Sequence, residues 1–219
     1  MKRRCVWAAV VMATLVSASC EMAFTTSPLA FLQRDPSRLS AEQQVAFGRD
    51  ALASGDRDQM AAAFDLLKES DDPEVQLLAG QLGMAAAGLE AAFYGALPDI
   101  VAAADDQAAL QAALEEAFDG FSEGDLQTMG ESAALVAAAE EKVTPSAEQY
   151  LFAVVALMAV AANQNGGVEG LEGLEESDPG YDEVEQAKAF LDSALAGLQA
   201  DGQSTDLLEG IGEAIGWAS

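Results

Sequence analysis

The chain of 219 residues contains no histidine. That absence excludes a Ser-His-Asp triad, a Cys-His pair and His-ligated zinc. Cysteine is limited to Cys5 and Cys20. Basic residues are scarce: ten Lys and Arg stand against 37 Asp and Glu, a formal charge of −27. Such a balance argues against nucleic acid, whose phosphates need a basic face. No alternating Val/Ile/Thr run suggests a strand, and no apolar run reaches the ~20 residues of a membrane span. What remains is a chain 51 % hydrophobic, too apolar for a disordered acidic tail and long enough for one domain with a real core.

The first twenty residues carry an address. Met1-Lys2-Arg3-Arg4 is a basic n-region, residues 5–16 form a short apolar run, and Ser17-Ala18-Ser19 are small. This is the layout of a secretory signal peptide. Ser17-Ala18-Ser19-Cys20 resembles a bacterial lipobox, although Ser17 stands where Leu is usual. The resemblance implies cleavage between Ser19 and Cys20, acylation of Cys20, and attachment to a membrane through that residue. Glu21, where Asp would favour inner-membrane retention, points to the outer membrane, with the body facing the periplasm. The same three small residues also suit ordinary signal cleavage, which would leave Cys20 as a lone thiol in an oxidising compartment.

Three of the ten basic residues belong to the n-region, so from Cys20 onward 7 basic residues face 37 acidic ones, a charge of −30. The remaining lysines are Lys68, Lys142 and Lys188. Acid-rich, lysine-poor surfaces resemble those of proteins from saline habitats. A negative surface would also attract a basic partner.

Residues 20–39 read as the acylated cysteine and a tether, with Thr25, Thr26, Ser27, Pro28, Pro36 and Ser37. Phe24, Leu29, Phe31 and Leu32 are its apolar residues. From 40 to 219 the chain reads as helix, with segments expected at about 41–54, 57–70, 74–96, 106–121, 125–141, 146–162, 181–199 and 205–217. Ser40 with Gln43 predicts a capping box. Asp72-Pro73, Thr144-Pro145 and Asp178-Pro179 each offer a capping oxygen before a helix-starting proline. Tyr150 to Val160 is apolar on every face and predicts the buried central helix, with 74–96 as its counterpart. Gly80, Gly83, Ala85, Ala86 and Ala87 would allow close helix contact. Asn163 to Ser177 reads as the longest loop, and a final helix pair at about 181–217 would cap the core.

An offset of 69 carries Gly55-Asp56 and Met60 onto Gly124-Asp125 and Met129. It predicts a three-helix unit used twice, at about 41–96 and 106–162. The first unit resembles a tetratricopeptide repeat. Phe47-Gly48 fills the large-small pair, Gly55-Asp56 the turn and Phe64 the aromatic of the second helix, with Pro73 near the closing proline. Ala51 stands where a further aromatic belongs. The resemblance implies an all-α superhelical stack of antiparallel helix pairs, about eight helices and no sheet. Modules of that kind mostly bind other proteins.

Candidate chemistry is sparse. The acid pairs Asp71-Asp72, Asp105-Asp106, Glu115-Glu116, Glu140-Glu141 and Glu175-Glu176 fall at helix ends or on wet faces, where general acid/base work is not supported. Neither Asp178/Gly180/Asp182 nor Asn163/Asn165/Glu169 fits a twelve-residue calcium loop. Gly166-Gly167 and Gly170 follow no strand and form no phosphate loop. Met60, Met84, Met129 and Met158 fit core packing. Phe93, Tyr94 and Trp217 are harder to place inside and are candidate binding anchors. No catalytic residue, metal site or cofactor is expected. The expectation is a lipid-anchored envelope protein whose helical repeats dock another envelope protein. The alternative is a periplasmic solute-binding or transporter-accessory lipoprotein with an apolar cavity between helices.

Overall fold

A computed structural model describes residues 36–103, 106–171 and 173–200, together with Gly202, Thr205, Gly212 and Trp217. Ser19, Cys20, most of the tether and most of the 205–217 segment lie outside the described residues. The chain divides into two compact units, Met1–Leu39 and Ser40–Ser219. Of the first, only Leu39 and the 3-10 turn Pro36–Arg38 are described.

The second unit is all-helical. Its described residues form eight α-helices: α1 (Ala41–Ser54), α2 (Arg57–Leu67), α3 (Pro73–Ala87), α4 (Leu89–Ala102), α5 (Gln107–Phe118), α6 (Glu123–Glu140), α7 (Ala147–Asn165) and α8 (Tyr181–Ala200). A 3-10 turn, Val168–Leu171, follows α7. No strand occurs among the described residues, and no described helix is long and apolar enough to cross a membrane.

Local chemistry sets most boundaries. Ser40 and Gln43 form the capping box of α1, and Gly55 ends that helix at φ 69°. Asp56 caps α2, accepting hydrogen bonds from the amides of Asp58 and Gln59. Those bonds, the Gln59 amide first, hold its carboxyl below the ordinary value. Asp72 and Pro73 open α3 as expected. The other two proline starts differ. Ser146 caps α7 with Gln149 in another capping box, so Pro145 precedes the cap. The Asp178-Pro179 pair sits in the turn before α8, where the Asp178 carboxylate accepts from the Glu175 amide at 2.8 Å.

The segment expected as one helix over 74–96 is two. Gly88 adopts φ 85°, closes α3 and directly opens α4. Arg57 fixes this break: its Nε donates to the Ala86 carbonyl at 2.8 Å, and a Cβ on Gly88 would meet the guanidinium at 3.2 Å. A cation at a helix C-terminus satisfies the last carbonyls and complements the helix dipole.

The positions equated by the 69-residue offset do not play equal parts. Gly55-Asp56 lies between two helices, whereas Gly124-Asp125 lies inside the first turn of α6, which Ser122 caps. Neighbour order differs as well: α1 packs on α2, but its counterpart α5 packs chiefly on α4. Met60 and Met129 are nevertheless both buried, since each sits on the inward face of its helix.

Among the described residues, two apolar clusters make the core. The smaller joins α1, α2 and α3 through Ala51, Met60, Phe64, Leu67 and Leu82. The larger surrounds α7, which is buried from Phe152 to Ala159 on all sides and packs on α6 and α8. α3 belongs to both and lies along α6 in the most extensive helix contact. Gly80 and Gly83 make that approach close. A Cβ on Gly83 would fall on Ser132 Oγ, and one on Gly80 would lie 2.9 Å from the Ser132 carbonyl. Ser132 is fully buried and donates to the Thr128 carbonyl at 2.7 Å.

Candidate functional site

The three predicted anchors differ in burial. Phe93 is buried, 5 % exposed, in the larger cluster. Trp217 is half-buried against that cluster, with Lys188 Nζ 5.9 Å from its ring centre. Tyr94 stands outside, 54 % exposed. Phe93 and Tyr94 meet Phe152 of α7 in an aromatic trio, all edge-on, with ring centres 5.9–6.1 Å apart. Phe152 was not among the residues singled out by sequence, because the all-round apolar character of its helix hides which side chains reach an edge.

α4 is unusual in so acidic a chain. Glu90 and Asp99 are its charged residues, and its outer face shows Ala91, Tyr94, Gly95, Pro98 and Val101, all exposed. Val101 is 55 % exposed, and it and Tyr94 are the large apolar side chains standing in solvent among the described residues. Beside Tyr94, a notch of about 20 Å³ is walled by Met84, Val136 and Phe152, with Glu90, Glu148 and Gln149 at its mouth. Partial burial pushes the Tyr94 phenol above its ordinary value, and the nearby carboxylates of Glu148 and Glu90 add to the shift. The sequence carries the signal for this face, a fourteen-residue helix with two charges. Reading 74–96 as one helix carries the register straight through Gly88 and loses it.

A second, polar groove of about 390 Å³ runs between α2 and α6 over Ala86 and Ala87. Arg57 faces Asp125 across it at 3.6 Å, and Lys68 reaches Asp65 at 3.1 Å and Glu131 at 3.3 Å. The hydrogen bond to Asp65 is the main reason the Lys68 ammonium is raised above its ordinary value. These charges satisfy each other and brace the two helices.

No protein-family model, curated protein or solved structure matches this chain. Its site must therefore be judged on geometry. The acid pairs whose two members are described, Asp71-Asp72, Glu115-Glu116, Glu140-Glu141 and Glu175-Glu176, are all exposed. No group of three or more Cys, Asp and Glu is placed to hold a metal ion among the described residues. Met60, Met84, Met129 and Met158 are buried. The apolar pocket between Leu89, Phe93, Ile100, Leu114 and Val155 has essentially no room for water. An open cleft of about 230 Å³ at the end of α7 is edged by Glu115, Asp119 and Asn163. The arrangement best suited to recognition is the outer face of α4 with its notch: an exposed aromatic, an adjoining apolar edge and an acidic rim.

Proposed function

We propose that this is a lipid-anchored bacterial envelope protein, attached through Cys20 to the outer membrane and facing the periplasm, whose tetratricopeptide-like helical body docks another envelope protein. The observation that carries the docking reading is the outer face of α4, which leaves Tyr94 and Val101 in solvent on a chain of charge −27. Exposed aromatic and aliphatic side chains beside a packed core are the usual raw material of an interface. The solute-binding reading is less favoured. Ligand cavities are enclosed, mostly apolar and of roughly 300–1,000 Å³, whereas the apolar spaces between these helices hold about 20 Å³ or less.

The anchor reading rests on the order basic n-region, apolar run, small residues, Cys20. Each buried acyl CH₂ contributes about 0.8 kcal/mol toward membrane retention, so two or more chains make release negligible. Replacing Cys20 with Ala should shift the protein from the membrane fraction to the soluble or uncleaved pool. An unmodified N-terminal cysteine by mass spectrometry, on protein already recovered as soluble, would refute the anchor. Docking is tested by cross-linking the anchored protein within its own envelope. A body that yields only unlinked monomer, from every face sampled, would refute the scaffold.

A further inference from the structure

Four independent features of α4 converge on one strip. Ala91, Tyr94, Gly95, Pro98 and Val101 follow at i, i+3, i+4, i+7 and i+10, the spacing of a single helix face. Gly95 lies mid-helix, and a Cβ there would meet nothing within 4 Å. Glycine in a helix interior is unfavourable, and no packing contact within the body explains it. Pro98 has no amide to bond the Tyr94 carbonyl and its ring crowds that oxygen, so the carbonyl lacks its i+4 partner on the same stretch of helix. Glu90 and Glu148 line the notch together with Phe152, whose ring meets Tyr94, and both carboxylates act on the Tyr94 phenol through their charge. The strip thus offers an apolar track, a low point where a second backbone can approach closely, a carbonyl acceptor and a negative rim.

Charge decides the occupant. A second copy would bring another −30 from Cys20 onward against the first, and an anionic lipid surface would be repelled in the same way. We propose that the outer face of α4 receives an amphipathic helix of a partner protein, which packs apolar side chains along Tyr94, Gly95 and Val101 and pairs flanking Lys or Arg with Glu90 and Glu148. The proposal rests on the scaffold reading and gives its partner a chemistry. Helix-in-groove recognition of this type is read through apolar anchors at i, i+3, i+4 and i+7, while complementary charge sets orientation and on-rate.

The probe is a synthetic 18-residue amphipathic helix with leucines on one face and lysines on both flanks, beside the same peptide with glutamates for lysines. Binding to the full-length protein in neutral detergent is followed by fluorescence anisotropy at 0.15 M salt. The lysine peptide should bind and the glutamate peptide should not. Val101→Ser, Gly95→Gln and the pair Glu90→Gln/Glu148→Gln should each weaken binding at least tenfold. The pair Glu175→Gln/Glu176→Gln, which removes the same charge elsewhere, should change it less than twofold. Gly95→Gln should keep or raise the melting temperature, so its loss of binding would not reflect unfolding. Equal weakening by both acid pairs, with no response to Val101→Ser or Gly95→Gln, would mean attraction by net charge only and overturns the proposal. Dimers that Val101→Ser abolishes, or Val101-dependent binding of Cys20→Ala protein to neutral phosphatidylcholine vesicles, would assign the face to a second copy or to lipid and overturn it as well. A photo-cross-linking residue at Val101 and at positions on other faces separates the two levels. Adducts from other faces alone would overturn this assignment and leave the scaffold standing; adducts from none would remove both.

Discussion

Glycine illustrates how one residue type takes opposite roles within a single chain. At Gly83 an added methyl would strike Ser132 Oγ and lie 2.9 Å from the Phe64 ring. Phe64 is buried, and Ser132 is buried and tied to the Thr128 carbonyl, so neither neighbour yields cheaply. Alanine's better helix propensity gains about 1 kcal/mol, and overpacking costs about 1–3 kcal/mol. Gly83→Ala should therefore destabilise by up to about 2 kcal/mol, seen as a lower denaturant midpoint with an unchanged slope. The same change at Gly95, which has open space around it, should stabilise by about 0.5–1 kcal/mol. Tyr150 supplies a pH response. Its hydroxyl donates to Glu140 at 2.7 Å, and burial, reinforced by that bond, pushes its pKa up to about 12. The unfolded phenol loses its proton near pH 10 while the folded one keeps it. Stability should fall as pH rises from about 10 to 12, by at most about 1.4 kcal/mol per pH unit from this group. Tyr150→Phe should flatten the fall measured by urea unfolding across that window; a slope identical to that of the parent protein would contradict the assignment.

Helices are where the sequence speaks most clearly, and α7 is the best case. Eleven successive apolar residues, Tyr150 to Val160, leave no face for water, and the structure buries all of them except Leu151 and Val160, which are half-exposed. Val155 is 5 % exposed, so Val155→Asp places an unpaired carboxylate among hydrocarbon. It should cost at least about 3 kcal/mol, and a variant that melts at the parent temperature would refute the central placement of α7. The starts of α1, α2 and α3 were equally legible, because a capping side chain and the amides it satisfies lie within three residues of each other. The break at Gly88 was not. A lone glycine among alanines suits a helix interior as well as a helix end, and the group that decides, Arg57, lies 29 residues before Ala86, whose carbonyl it holds. The start of α7 falls within a residue of the expected one, but its cap differs for a local reason: Ser146 with Gln149 satisfies two amides where Thr144 and Pro145 could satisfy one. The proposed docking face was legible only in part. Tyr94 stood out by type, but Gly95, Pro98 and Val101 become one strip only once α4 is known to begin anew at Leu89.

For the whole molecule, charge and cohesion pull against each other. A net charge of −30 from Cys20 onward produces self-repulsion that salt screens, over about 30 Å at 0.01 M and 8 Å at 0.15 M. Salt also weakens the pairs Arg57–Asp125 and Lys68–Glu131. Such exposed pairs contribute about 0–1 kcal/mol each, less than the relief of repulsion summed over many carboxylates. The melting temperature should rise from low to molar salt, and a flat or falling scan would count against a surface dominated by like charge. Cohesion comes from α3. It contributes Leu82 to the smaller cluster and Met84 to the larger, and it lies along α6 throughout. A helix shared in this way cannot leave one cluster without opening the other. The α1–α3 layer and the α6–α8 layer consequently cannot melt as separate foldons, and the body should lose its structure in a single cooperative step rather than peel away layer by layer.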